Sequence, residues 1–226
     1  MTGPKPGGGP PGAPASLVHK YLRPRRTVAG KSPGLFLLHG RGADEDDLLG
    51  LAEYFDDRLF IVSPRAPYPF PMGGGYTWYD LEELGKPDRA MFVSSLALLN
   101  QFLGESLRAY DLDPAKTYCC GFSMGAIMAL SVALTRPGFF AGVMSNSGYI
   151  PEDTGMEPAW GGVAGMPFFI GHGLYDPVIP CAYGRRAKEL LDSHGAVVTY
   201  REYDMGHQIN EDSLGDMIGW LAPMLG

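Results

Sequence analysis

The stretch that decides the fold runs Cys119-Cys120-Gly121-Phe122-Ser123-Met124-Gly125-Ala126. The residues before it are typical of a strand, and the apolar run 127–134 after it is typical of a helix. A Gly-x-Ser-x-Gly pattern between a strand and a helix predicts a sharp turn that lifts the serine hydroxyl above the sheet. The two glycines let the strand and the helix approach each other without side-chain clashes. This context predicts a nucleophilic Ser123, although an ordinary glycine-rich turn can also contain a serine.

Length and composition favour a single folded domain without metal or disulfide. The chain has 226 residues, of which 45% are hydrophobic, and this is enough for one sizeable core. The formal net charge of -7 argues against a nucleic-acid partner. The three cysteines have no zinc-like spacing, and Cys119 and Cys120 are expected to be buried on opposite faces of one strand. No apolar run approaches the length of about 18 residues that a membrane span needs, so we expect a cytoplasmic protein.

The first 15 residues differ from the rest of the chain. They are rich in proline and glycine and contain no apolar segment, which predicts a disordered tail over residues 1–15. The folded domain is predicted over residues 16–226.

Predicted strands and helices alternate along this domain. Besides the strand that leads into Ser123, strands are predicted at 18–22, 34–38, 59–62, 140–145, 167–170 and 197–203. Helices are predicted at 44–57, 90–110, 127–134, 181–194 and around 214–221. This alternation predicts an α/β fold with a mostly parallel central sheet and helices on both faces. Functional residues should then follow the carboxyl ends of strands.

A serine nucleophile needs an adjacent base, and the sequence offers five histidines. His19 and His194 are expected at the surface. His39 and His172 follow buried strands, but each lies in a glycine-bearing turn, which favours a structural role with backbone hydrogen bonds. His207 follows the last strand and fits the chain order serine, acid, histidine that accompanies this type of turn. We therefore predict that His207 is the base.

The acid should hold the other imidazole nitrogen of the base. Asp176 lies between Ser123 and His207 in the sequence, after the strand that precedes the last one, and a proline follows it. Asp204 lies only three residues before His207, and Asp153 lies in a loose polar loop. These positions favour Asp176.

An oxyanion hole needs two backbone N–H groups beside the reacting carbon. Met124, directly after the nucleophile, is expected to supply one of them. The loop 39–42 follows an early buried strand, and we predict that the N–H of Arg41 supplies the other. The Arg41 guanidinium is expected to point to solvent or to the acidic run 44–47.

The ordered motifs resemble those of the phospholipase/carboxylesterase family, a group of small α/β-hydrolases that includes bacterial carboxylesterases and acyl-protein thioesterases. They are Leu38-His39-Gly40-Arg41-Gly42, Gly121-Phe122-Ser123-Met124-Gly125, the set Gly171, Leu174 and Asp176-Pro177-Val178-Ile179-Pro180, and Gly206-His207. The resemblance extends from about residue 16 to the C-terminus. It implies an α/β-hydrolase fold and a serine hydrolase without cofactor that acts on esters or thioesters with modest acyl chains. Family members often carry leucine at the position of Arg41 and glutamine at that of Met124, but both positions act through the backbone.

Substrate binding is predicted in the long irregular segment 65–88. Trp78-Tyr79-Asp80 resembles an aromatic-acidic motif of the family beside the acyl pocket. We predict that Trp78, Tyr76, Met72 and Ile179 contact the substrate, whereas a hydrophobic cluster that only packs this loop on the core is the alternative. No large helical insertion is visible that would form a lid.

The sequence thus predicts a serine hydrolase that cleaves carboxylic esters of short-to-medium acyl chain through an acyl-enzyme. Its partner would be a small-molecule or lipid-like ester, and a homodimer is left open. Alternatives are an acyl-protein thioesterase or lysophospholipase-like activity, a catalytically silent binding module, and a dienelactone-type hydrolase, which would prefer cysteine at position 123.

Overall fold

The computed structural model describes Pro14, residues 16–152 and residues 154–226. In chain order the strands are β1 (His19–Leu22), β2 (Ser32–Leu38), β3 (Phe60–Pro64), β4 (Tyr68–Pro69), β5 (Tyr76–Thr77), β6 (Leu81–Glu83), β7 (Lys86–Pro87), β8 (Leu112–Phe122), β9 (Gly142–Asn146), β10 (Pro167–Gly173) and β11 (Val197–Tyr203). The α-helices are α1 (Arg89–Ala109), α2 (Met124–Thr135), α3 (Ala182–Ser193) and α4 (Glu211–Leu225). Short 3-10 helices span Leu48–Leu51 and Trp160–Gly162. The predicted tail lies outside the described residues, apart from Pro14.

One central sheet organises the fold. In the described part of the chain, seven strands pair in the order β1-β3-β2-β8-β9-β10-β11. Every neighbouring pair is parallel except β1 with β3, which is antiparallel. The strand that leads into Ser123, β8, therefore lies at the centre of the sheet. The mostly parallel sheet is confirmed.

Hydrophobic layers cover both faces of this sheet, which explains why β2 and β8 contain continuous apolar runs. Helices α1, α2 and α3 pack on one face, where Cys119 is buried. Helix α4 and the segment 44–55 pack on the other face, where Cys120 is buried. The two cysteines therefore point to opposite faces, as predicted.

The predicted helix at 44–57 was wrong. Only Leu48–Leu51 is helical, as a 3-10 turn. The Asp44 carboxylate accepts a hydrogen bond from the Asp46 backbone N–H at 2.9 Å, and such local bonds compete with helix formation. Leu48, Ala52 and Phe55 are nevertheless buried, so the apolar spacing served to cover the sheet without a helix.

The irregular segment 65–88 contains two short antiparallel pairs, β4 with β5 and β6 with β7, and no helix. It lies at the carboxyl end of β3, beside the turn after β8. In agreement with the prediction, no large lid is present among the described residues. Across all the described residues, no helix is long and apolar enough to cross a membrane.

Candidate active site

Ser123 occupies a strained turn between β8 and α2. Its backbone has φ 53° and ψ -121°, in the left-handed half of conformational space, where a side chain costs about 1–2 kcal/mol. A Cβ built on Gly121 would lie 2.5 Å from the Gly125 carbonyl oxygen, and one built on Gly125 would lie 2.0 Å from the Leu38 carbonyl oxygen. Only glycine fits at both positions, which explains the Gly-x-Ser-x-Gly pattern.

The structure brings together the three side chains predicted to form a catalytic chain. His207 Nε2 lies 2.9 Å from Ser123 Oγ, and His207 Nδ1 lies 2.7 Å from Asp176 Oδ2. Because an ionised carboxylate only accepts hydrogen bonds, Nδ1 carries the proton and Nε2 accepts from the serine hydroxyl. The arrangement is a continuous hydrogen-bonded path from the serine to the acid.

Asp176 is fixed and kept ionised by its surroundings. Its side chain is fully buried, and Oδ1 accepts the backbone N–H groups of Val178 at 2.9 Å and Ile179 at 2.8 Å. Burial by itself raises the pKa of Asp176, but the hydrogen bonds from His207, Ile179 and Val178 outweigh it and leave the pKa below its ordinary value. The rival Asp204 is exposed, and Asp153 lies outside the described residues.

Three backbone hydrogen bonds join the carboxyl ends of adjacent strands beside this site, and we call them the strand-end ladder. In each bond, the residue just after one strand donates its N–H to a carbonyl at the end of the neighbouring strand. Its members are Ser123 N–H to Asn146 O, Ser147 N–H to Gly171 O and Leu174 N–H to Tyr203 O, all at 2.9 Å. Gly173 also lies so close to the next loop that a Cβ there would be 2.2 Å from the Gly206 carbonyl oxygen. The turns that carry serine, acid and base are thus tied to one another by main chain.

The two backbone groups predicted for the oxyanion hole lie on either side of Ser123. A Cβ built on Gly40 would be 3.4 Å from Ser123 Cβ, which places the Arg41 peptide close to the serine. Met124 begins α2, so its N–H has no acceptor within the helix. Among the described residues, neither N–H donates to a backbone acceptor.

The Arg41 side chain is exposed to solvent, which was one of its two predicted positions. Its guanidinium stacks over the Phe70 ring, 4.9 Å from the centroid, and forms no ion pair with the acidic run 44–47. In that run, Glu45 pairs with Arg65 at 2.6 Å and Asp46 pairs with Lys20. The contact with Phe70 was not predictable, because a cation–aromatic pair between separate loops leaves no local pattern in the sequence.

Two of the other histidines have the predicted structural roles. His39 donates from Nδ1 to the Gly40 carbonyl at 2.7 Å and accepts the Ala66 N–H at 3.0 Å. His172 donates from Nε2 to the Ile179 carbonyl at 2.8 Å. Burial lowers the pKa of both residues.

His19 and His194 were expected at the surface, but both are partly buried. His19 is half-buried and lies 2.5 Å from the Tyr110 hydroxyl, and burial lowers its pKa. His194 stacks on Trp160 with a centroid distance of 4.1 Å.

The four residues predicted to contact substrate lie in different environments. Trp78 is fully buried, and its indole N–H donates to the His39 carbonyl at 3.0 Å. It supports the loop 39–42 and presents no surface to a ligand, which differs from the prediction. Met72 is 83% exposed, Ile179 is buried, and the Tyr76 hydroxyl accepts from Arg65.

A cavity that the sequence analysis missed lies at the same edge of the sheet. It has a volume of about 340 Å³ and lies between the end of β9 and the beginning of α3. Its lining includes Tyr149, Ile150, Ala182 and Tyr183. Tyr149 and Ile150 follow β9 in the sequence and could have indicated this cavity, because side chains at strand ends border such sites.

The central parallel sheet and the serine-bearing turn at its middle strand define an α/β-hydrolase fold. Comparison with known proteins agrees, since a family model described as Phospholipase/Carboxylesterase matches residues 29–225. The chain belongs to this family, which confirms the resemblance and the fold predicted from the sequence.

Individual relatives include both esterases and thioesterases. The chain is 28% identical over 218 residues to acyl-protein thioesterase 1 of Candida albicans, a match that covers 88% of this chain and 94% of that protein. It is 26% identical to the Bacillus cereus carboxylesterase, with a TM-score of 0.79 and coverage of 92% and 94%. It is 27% identical to esterase PE8, with a TM-score of 0.82 and coverage of 92% and 99%. The protein is thus a member of a hydrolase family of the esterase and thioesterase type.

Proposed function

We propose that this protein is a serine hydrolase that cleaves carboxylic esters of short-to-medium acyl chain, with Ser123 as nucleophile, His207 as base and Asp176 as acid. The observation that carries this proposal is the unbroken hydrogen-bonded path of 2.9 Å and 2.7 Å from the serine through the imidazole to the carboxylate. A serine hydroxyl is a weak nucleophile, and this arrangement removes its proton as it attacks.

The reaction has two similar halves. His207 Nε2 takes the Ser123 proton while Oγ adds to the ester carbonyl, and the resulting imidazolium protonates the alcohol that leaves. A water molecule then adds to the acyl-enzyme with the same proton transfers and releases the acid. Ionised Asp176 stabilises the imidazolium in both halves of the reaction and holds the proton on His207 Nδ1.

Two N–H groups stabilise the charge that develops on the carbonyl oxygen. The Met124 N–H at the beginning of α2 and the Arg41 N–H are the proposed donors, and neither is engaged by a backbone acceptor in the described chain. The loss of one such donor typically lowers kcat by about 10²–10³-fold.

The proposed acyl length rests on the cavity beside Tyr149 and Tyr183. Its volume of about 340 Å³ is at the lower end of the range typical of small-ligand sites. Its lining combines two tyrosines and the apolar Ile150 and Ala182 with the Glu152–Arg186 ion pair, and the apolar part suits a short or medium acyl chain better than a long one.

A thioesterase that removes acyl groups from proteins is the second candidate. Leu174, Tyr175 and Val178 are 41%, 69% and 54% exposed on the loop that carries Asp176, and Met72 projects from the segment 65–88 at the same edge. Exposed apolar side chains beside a site are typical of a surface that binds a lipid or protein partner. This feature supports a substrate larger than a simple ester.

The test compares wild type with Ser123→Ala on p-nitrophenyl esters of increasing acyl length. Ser193→Ala, an exposed serine on α3, serves as the matched control. We expect kcat/KM to fall by at least about 10⁴-fold in Ser123→Ala and to be unchanged in Ser193→Ala. Equal activity in wild type and Ser123→Ala would refute the nucleophile, and inactivity of both at every length would favour the binding-module alternative.

Acyl-protein thioesterase activity is tested on the same variants with an S-acylated peptide and the matching O-acylated peptide. A kcat/KM for the thioester that exceeds the ester value by more than the intrinsic reactivity ratio of the two bonds would favour the second candidate. An equal or smaller ratio favours the carboxylesterase. The cytoplasmic location stays a prediction, and a homodimer is still left open.

A further inference from the structure

The positive charge of Arg41, at the edge of the candidate active site, is not paired with any described acidic side chain. Its side chain is exposed, and the Phe70 ring holds the guanidinium at 4.9 Å. Stacking on an aromatic ring fixes the guanidinium plane but leaves its N–H donors at the rim free to bind an anion.

Other cations near this edge of the sheet already have carboxylate partners. Arg65 binds Glu45 with two contacts of 2.6 Å, and Lys20 and Lys86 pair with acidic side chains at 2.5 and 2.6 Å. Arg41 differs, because in the described part of the chain it forms no ion pair and no side-chain hydrogen bond. The protein carries a net charge of -7, but in the neighbouring run 44–47 Glu45 and Asp46 are paired with other cations, and none of the described carboxylates forms an ion pair with Arg41.

The backbone places the Arg41 peptide close to Ser123. A Cβ built on Gly40 would lie 3.4 Å from Ser123 Cβ, and Arg41 follows one peptide step of about 3.8 Å further on. Gly42 is held on the other side, where a Cβ would lie 3.3 Å from the Phe70 ring. The loop 40–42 therefore fits between the serine and the ring, and the guanidinium cannot move far from the site while it stacks on Phe70.

We propose that Arg41, supported by Phe70, forms an anion subsite that selects esters bearing a carboxylate near the ester group. The planar guanidinium fork matches a carboxylate in two parallel hydrogen bonds, which gives direction as well as charge. This inference rests on the proposed ester hydrolysis at Ser123 and names the substrate class more narrowly. Its alternative is that the Arg41–Phe70 contact only orders the oxyanion loop.

The test measures kcat/KM for mono-p-nitrophenyl glutarate and p-nitrophenyl pentanoate, which share chain length and leaving group and differ in the terminal carboxylate. The variants are Arg41→Met, which removes the charge and keeps the length, and Arg41→Lys, which keeps the charge. Arg136→Met is the matched control, because Arg136 also stacks on a phenylalanine, 4.2 Å from the Phe139 ring. It lies at the other end of α2, about 18 Å away along a helix of 12 residues.

The readout is the ratio of the glutarate value to the pentanoate value, so that any effect of the substitution on the Arg41 N–H cancels. We expect Arg41→Met to lower this ratio by about tenfold, Arg41→Lys to retain most of it, and Arg136→Met to leave it unchanged. Raising the salt concentration to 0.5 M should also reduce the wild-type ratio, since a partly exposed ion pair is screened.

A second pair of substrates places the carboxylate on the leaving group, 4-acetoxybenzoate against 4-acetoxybenzamide. A change of ratio in Arg41→Met with either pair supports the subsite and shows on which side of the ester the anion lies. Unchanged ratios with both pairs in a folded Arg41→Met that still cleaves pentanoate would overturn the inference while leaving ester hydrolysis intact. Failure of the proposed function is distinct, because wild type and Ser123→Ala would then not differ on any ester.

Discussion

Two histidines lie on either side of the same carboxylate, at the ends of adjacent strands. His207 follows β11, and its Nδ1 is 2.7 Å from Asp176 Oδ2. His172 is near the end of β10, and its Nε2 is 3.6 Å from the same oxygen. Both residues are histidines near the carboxyl ends of strands, but only His207 lies within hydrogen-bonding distance of the carboxylate.

Burial and the second hydrogen-bond partner distinguish His172 from His207. His172 is fully buried, its Nε2 proton goes to the Ile179 carbonyl, and its Nδ1 lacks a partner in the described structure. Burial keeps it neutral by lowering its pKa, although the Ile179 carbonyl and Asp176 act in the opposite direction. His207 instead keeps a partly exposed side chain with Nε2 directed at Ser123. His207, the proposed base, thus has one nitrogen bound to Asp176 and the other directed at Ser123, whereas His172 binds a carbonyl of the loop that carries Asp176.

The largest effect is expected from His207→Gln. Glutamine cannot take up the serine proton, so kcat/KM for p-nitrophenyl esters should fall by at least about 10⁴-fold, while the melting temperature changes little. His194→Gln is the matched control and should keep wild-type activity. Comparable activity in both variants would place the base elsewhere.

A loss of about 10³–10⁴-fold in kcat is expected for Asp176→Asn. The amide cannot stabilise the imidazolium and favours the wrong imidazole tautomer. The control is Asp204→Asn, which changes the exposed rival acid and should reduce activity by less than about threefold. If Asp204→Asn is the more damaging change, the assignment of the acid is wrong.

The smallest effect on activity, but a clear effect on stability, is expected for His172→Gln. Glutamine does not fill the buried space of the imidazole ring, and its flexible amide must be ordered to reach the Ile179 carbonyl, so the free energy of unfolding should decrease by about 1–3 kcal/mol at pH 7.5, while kcat falls by less than about tenfold. Urea unfolding and ester kinetics on the same samples separate the two effects. A loss of kcat as large as in His207→Gln would give His172 a direct part in the chemistry.

His172→Gln should also change how the stability of the protein depends on pH. Burial lowers the pKa of His172 from its ordinary value of 6.5, so the unfolded chain takes up a proton at a higher pH than the folded one. The stability from this group is therefore fully present above pH 6.5 and is lost as pH falls below it towards the folded-state pKa. His39 contributes with the same sign. Unfolding free energy should fall less steeply below pH 6.5 in His172→Gln than in wild type.

Features that depend on neighbouring residues in the chain could be predicted from the sequence. The turn at Ser123 was predictable because two glycines and the strand-to-helix change lie within a few residues. The segment 44–57 was not, since its apolar spacing fits a helix, while aspartate side chains and the sheet surface stabilise turns instead. The Arg41 guanidinium, the burial of Trp78 and the cavity at Tyr149 depend on contacts between distant loops, which spacing does not encode.

The strand-end ladder has a consequence for how activity responds to heat. Main-chain bonds link the turns after β8, β9 and β10 to β11, whose end lies four residues before His207, so we expect Ser123 and His207 to separate only when the sheet is disrupted. The distance between them is a property of the central sheet, the most protected part of such a molecule, and not of mobile surface loops. Turnover therefore reports on the integrity of the whole domain, and enzymatic inactivation and loss of the sheet become one event.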